Sequence, residues 1–175
     1  MRNILVVLIL CLSCQTIKVM SQNTPMVEFN QLNENGVRKG LWIDIKGQRT
    51  EFKYYKNGIL DGPCWIMSSN DNHVLAIGRF ENSKYAGVWY NFDDEGYLLS
   101  VQKNFKETII QIPSKHKPIG FCSNLCYCIY YYSNGFIKSE GLLLWNVSPD
   151  SDFTFEYGEW KYYNDDGTLM YTKNY

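Results

Sequence analysis

Apolar and polar positions alternate along short runs of this chain: Leu41, Ile43 and Ile45, then Phe52 and Tyr54, then Val88, Tyr90 and Phe92. A period of two puts such a set on one face of a β-strand. No stretch after residue 21 carries helical spacing. The runs are rich in Tyr, Phe, Trp, Ile and Val, which suit a pleated, half-buried surface. Between them lie turn pairs, either Asn-Gly or an acid before Gly, which tolerate the positive φ of tight hairpins. Gly36, Gly47 and Gly58 fall 11 residues apart, and turn residues recur near Asn70, Asn82 and Gly96. The pattern predicts a meander of antiparallel hairpins.

The hairpins are copies of one another. An Asn-Gly turn, then a glycine, then a tryptophan occurs as NENGVRKGLW (33–42) and YYKNGILDGPCW (54–65). Looser copies are FENSKYAGVW (80–89) and YYSNGFIKSEGLLLW (131–145), and YGEW (157–160) keeps the second half. Trp42, Trp65 and Trp89 are 23 and 24 residues apart, and Trp160 lies 71 beyond Trp89, close to three such periods. A repeat this short is about one hairpin per unit. Gly36, Gly58, Gly96, Gly135 and Gly167 are then turn glycines, and Trp42, Trp65, Trp89 and Trp160 form the spine between hairpins.

The pattern resembles the MORN-repeat variant family, whose units carry Tyr-Tyr-x-x-Gly followed by Gly-x-Trp or Gly-x-x-Trp. The resemblance covers most of residues 30–100 and 129–175. It implies an all-β fold, an antiparallel meander of repeated β-hairpins in an elongated twisted sheet used mainly for binding, and some bacterial members are antitoxin-like. Residues 101–128 depart from the pattern and read as one irregular insertion, in which ETIIQI (107–112) is compatible with a strand and PSKHKPIG (113–120), with its two prolines, reads as a loop.

An apolar run, ILVVLILCLSC, follows Met1-Arg2-Asn3 and gives way to Gln15, Thr16 and Lys18 well short of the ~20 residues a spanning helix needs. It reads as a secretory signal over residues 1–21, which leaves 22–175 as a single domain. Two processing routes fit: cleavage after Ser21, or a lipobox-like Leu12-Ser13-Cys14 in which Cys14 is acylated. The expected location is therefore periplasm, outer membrane or extracellular space, with membrane contact only through a lipid on Cys14.

Without residues 1–21 the chain keeps 15 basic residues against 18 acidic ones. That balance, with no basic run, disfavours nucleic acid and anionic membrane surfaces as partners. Cys64, Cys122, Cys126 and Cys128 make an even number of thiols in an exported chain, so disulfides are the ordinary expectation. Cys126 and Cys128 share one strand face and pair poorly, so the expected link joins Cys64 to one of the three. Zinc held by His116 and the cysteines is the weaker alternative, because the spacing matches no paired knuckle, and neither a metal nor another cofactor is expected.

Asp93-Asp94-Glu95 and Asp165-Asp166 could be offered as paired carboxylates for glycoside hydrolysis. Each precedes a turn glycine at an equivalent point of the repeat, so the turn accounts for both. His73 and His116 lie far from any serine elbow, and no phosphate-cradling glycine loop is present. The reading is a non-catalytic protein. Aromatics number 28, more than a small core needs, and Tyr55, Tyr132 and Tyr163 are the candidate ligand-binding residues. The expected role is binding of a cell-envelope protein through an aromatic sheet face. An antitoxin or immunity-type role, or recognition of a glycan or lipid head group, is the alternative.

Overall fold

The computed structural model describes residues 28–111, 121–146 and 153–175. Among these it forms one sheet of eleven antiparallel strands in strict chain order, not closed into a barrel. The strands are β1 (Gln31–Leu32), β2 (Arg38–Lys46), β3 (Arg49–Lys56), β4 (Ile59–Ser68), β5 (Val74–Glu81), β6 (Lys84–Phe92), β7 (Leu98–Gln111), β8 (Phe121–Tyr131), β9 (Ile137–Asn146), β10 (Phe153–Tyr163) and β11 (Leu169–Asn174). No helix among the described residues is long and apolar enough to cross a membrane.

Turn chemistry places the strand ends. Asn57 and Gly58 both take positive φ, 50° and 81°, and join β3 to β4 in the two-residue turn that matches sheet twist. The longer turns share one device, a side-chain oxygen that gathers backbone amides. Asp93 Oδ1 accepts from the amides of Glu95 and Tyr97 at 3.0 and 2.9 Å, and Asn33 Oδ1 accepts from those of Asn35 and Val37 at 3.0 and 3.1 Å. Asp166 Oδ1 takes the amide and hydroxyl of Thr168 at 2.8 and 2.6 Å. Both acidic clusters are therefore anchored in turns.

Two expectations need correction. Residues 101–111 and 121–128, expected within an irregular insertion, are strand: β7 and β8 are two of the longest strands and pair with each other from Ser100↔Tyr130 out to Gln111↔Phe121. The sequence hides this hairpin because β7 is interrupted twice, between Lys103 and Lys106 and between Glu107 and Ile110, which breaks the alternation. The expected loop PSKHKPIG lies outside the described residues, as do the signal segment and Cys14.

The second correction concerns Trp65. One continuous row of paired residues crosses the sheet from β2 to β11: Ile43, Phe52, Trp65, Ile77, Tyr90, Val101, Ile129, Glu140, Lys161, Thr172. Trp65 belongs to this row, stacked on Phe52 with ring centroids 4.8 Å apart. Trp42, Trp89 and Trp160 lie on the opposite face. In β2, β6 and β10 the motif is Gly-x-Trp, but in β4 it is Gly62-Pro63-Cys64-Trp65. One extra residue turns a side chain to the other face, so Cys64 occupies the tryptophan's seat in that hairpin.

Most of the buried side chains lie on the face that carries Trp89 and Trp160, while Ile129 and Leu144 are buried on the other. Trp42 pairs with Lys53, Lys53 with Cys64 and Cys64 with Gly78. The next copy runs from Trp89 to Gln102, Gln102 to Cys128 and Cys128 to Gly141. Trp160, opposite Lys173, opens a third. Successive hairpins thus present tryptophan and cysteine alternately, and a glycine ends each group of four strands.

Candidate functional site

Gly78 and Gly141, the glycines that end the two groups of four strands, each have an indole lying on them. A Cβ added to Gly78 would stand 2.1 Å from the Trp89 ring, and one on Gly141 would stand 2.5 Å from the Trp160 ring. The indole N–H of Trp89 then donates to the carbonyl of Arg79 at 3.1 Å, and that of Trp160 donates to Leu142 at 2.8 Å. Both contacts have the same geometry, with the ring over the glycine and the N–H on the carbonyl of the next residue. They make Trp89 and Trp160 structural.

Four buried thiols complete this face and its margins, and the expected disulfide is not formed. Cys64 packs with Ala76 and Trp89, Cys126 and Cys128 pack with Leu143 and Trp160, and Cys122 packs with Leu144. Cys64 on β4 and Cys128 on β8 stand four strands apart in the ladder and pack in different clusters. Burial pushes the Cys64 and Cys128 thiols up to about 11 and that of Cys126 up to about 12, and it raises Cys122. Thiols held protonated in this way are poor nucleophiles and poor metal ligands.

The candidate tyrosines do not form one stripe. Tyr132 and Tyr163 meet at one end of the sheet, where the Tyr132 hydroxyl donates to the Tyr163 carbonyl at 2.9 Å and the Tyr163 hydroxyl donates to Glu140 at 2.7 Å. Tyr55 stands apart on β3, where its hydroxyl accepts from Arg38 at 3.1 Å beside the Trp42 ring. All three are half-buried, with hydroxyls engaged inside the protein. His116 lies outside the described residues.

Two other surfaces stand out. On the face opposite the core, the cross-sheet row exposes large apolar groups: Ile77 and Tyr90 are each 43% exposed, and Val88 and Ile45 in neighbouring rows are 39% and 75% exposed. On the core face, Tyr85 of β6 gathers four rings, with centroids at 4.8 Å from Phe80, 4.8 Å from Trp89, 5.6 Å from Phe105 and 6.0 Å from Trp145. Trp145 belongs to β9, three strand spacings away, roughly 14 Å on a flat sheet. The two rings meet across β7 and β8, and two hollows of about 250 and 350 Å³ share them as lining.

Sequence reasoning missed Gly78 as the seat of an indole, and took Gly141 for the second glycine of a repeat copy. The available signal was a glycine inside a strand, which marks a close approach by another group. The Tyr85 cluster carried no such signal, since its members come from β5, β6, β7 and β9 and meet only in the assembled sheet. No protein-family model matches the chain, and no curated protein or solved structure matches it.

Proposed function

We propose that this chain is an exported, non-catalytic member of the MORN-repeat variant family, and that it acts at a bacterial cell envelope by binding a protein partner through its outer sheet face. The observation that carries the proposal is the apolar row Ile43, Phe52, Trp65, Ile77, Tyr90 and Val101, whose members lie side by side with Ile77 and Tyr90 nearly half exposed. Contiguous apolar surface of this kind marks an interaction site on a soluble protein. Beyond the buried Ile129 the row continues into Glu140, Lys161 and Thr172, a polar margin of the sort that borders interface cores. The turn roles of Asp93 and Asp166 support a protein without hydrolytic carboxylates.

An exported immunity-type relative of the antitoxins is the second reading, favoured by the acidic excess of 18 to 15 beyond residue 21, which suits a basic partner. The test is affinity capture from envelope extract with wild type and Tyr90→Glu in parallel. The proposal requires a protein that the wild type retains and Tyr90→Glu loses. Mass spectrometry of the mature N-terminus, at Cys14 or Gln22, reports the export route in the same preparation.

A further inference from the structure

We propose that the hollows around Tyr85 on the core face form a binding site for a neutral oligosaccharide, separate from the protein-binding face. The smaller hollow is walled by the rings of Tyr85, Trp89 and Trp145, and its polar lining among the described residues is Asn91, Gln102 and Thr154. None of these is charged. Flat rings that offer apolar faces, interspersed with amide and hydroxyl groups, are the combination that holds a sugar ring: its C–H face lies on the aromatic and its hydroxyls reach the amides.

The second hollow shares Tyr85 and Trp145 with the first and adds Phe105 and Asn124. Its charged lining is Lys84, Lys106 and Glu107; Lys84 and Glu107 pair with each other at 2.8 Å, which leaves the Lys106 ammonium to meet a ligand hydroxyl as a donor. Two adjoining compartments with a common aromatic wall suit linked units better than a single one. Backbone recognition of an extended peptide is not on offer at the smaller hollow, because Trp89, Asn91 and Gln102 sit within the β6–β7 ladder. The Asn91 amide N–H donates to the Ser100 hydroxyl at 3.1 Å, which leaves its carbonyl oxygen, the Thr154 hydroxyl and the rings to face a ligand.

The rings are positioned by features unrelated to the repeat's turns. Asn104, with φ of 59°, lies where β7 departs from regular pairing, and Phe105 beside it packs on both cysteine–tryptophan clusters. Tyr85 remains 36% exposed above them. An aromatic ring left accessible in the middle of a five-ring cluster, lining both hollows, is a platform rather than filling.

The test titrates the mature protein with the neutral hexaoses of β-1,4-glucan, α-1,4-glucan and β-1,4-linked N-acetylglucosamine, reading tryptophan fluorescence and calorimetry. One of them should saturate at sub-millimolar concentration, and Tyr85→Ala or Trp145→Ala should weaken it at least ten-fold while Tyr90→Ala leaves it unchanged. Where either alanine variant fails to fold, Thr154→Lys, an exposed substitution at the mouth, should give the same loss. Three outcomes would overturn the proposal: no saturation by any hexaose at 5 mM, saturation that survives Thr154→Lys, or saturation by a neutral peptide such as acetyl-Leu-Ala-Val-amide with none by the sugars.

Discussion

The indole of Trp160 lies on Gly141, so close that a Cβ there would fall 2.5 Å from the ring, and its N–H closes the contact on the Leu142 carbonyl. Trp160 is fully buried by this contact and by Cys126, Cys128 and Leu143. Gly141 does not have the positive φ that would strain an alanine. Gly141→Ala should therefore act through overpacking alone and destabilise by about 3 kcal/mol, the upper end of what an inserted methylene costs in a packed core. Denaturant midpoints for Gly141→Ala, Trp160→Ala and the double variant would measure it, and the double variant should cost clearly less than the two singles added.

Gly158 supplies the contrast. It has φ of 65° and nothing within 4 Å of the place a Cβ would take, so alanine there meets strain and no clash. The expected cost is about 1 kcal/mol, well below that of Gly141→Ala in the same assay. Equal costs at the two glycines would remove the argument that the ring, rather than the backbone, selects Gly141.

The buried thiols set an alkaline limit. A thiol in the unfolded chain ionises near its ordinary value of 9.0, whereas Cys64 and Cys128 are held protonated to about 11 and Cys126 to about 12. Between those values the unfolded state binds fewer protons than the folded one, so stability is full below pH 9 and falls as pH rises toward 11 and 12. Denaturant unfolding at pH 7.5 and pH 10.5 should show this loss, and Cys64→Ala should reduce the difference between the two. In the folded state at pH 7.5 the described thiols should react with iodoacetamide only as fast as the protein unfolds.

Asp93 tests the reading of the acidic clusters. Asp93→Ala removes the acceptor for two turn amides and should lower stability by about 1 kcal/mol. Any hydrolytic activity found in the preparation should be unaffected. Loss of such an activity with stability intact would restore the catalytic reading of these acids.

What was legible in the sequence was local. Asn57-Gly58, Asp93 before Gly96 and Asp166 before Gly167 specify turns through their own conformational preferences, so the antiparallel hairpins could be read directly. Facing was less accessible, because it depends on counting by twos through bulges. The single extra residue between Gly62 and Trp65 sent that tryptophan outward and brought Cys64 inward. Tyr55, Tyr132 and Tyr163 looked like a stripe only because sequence does not show which hydroxyls find partners at home. Tyr85, Phe105 and Trp145 come from three strands and meet only in the assembled sheet, which no single segment encodes.

The most direct test of the central claim, that the outer face is the protein-binding surface, is photo-crosslinking from single positions in the full chain. A benzoylphenylalanine in place of Ile77 or Tyr90, neighbours in one row of the outer face, should capture the same protein. The same group at Thr154, which lines the hollow on the core face, should capture none. Capture of that protein from Thr154 with none from positions 77 and 90 would contradict the account.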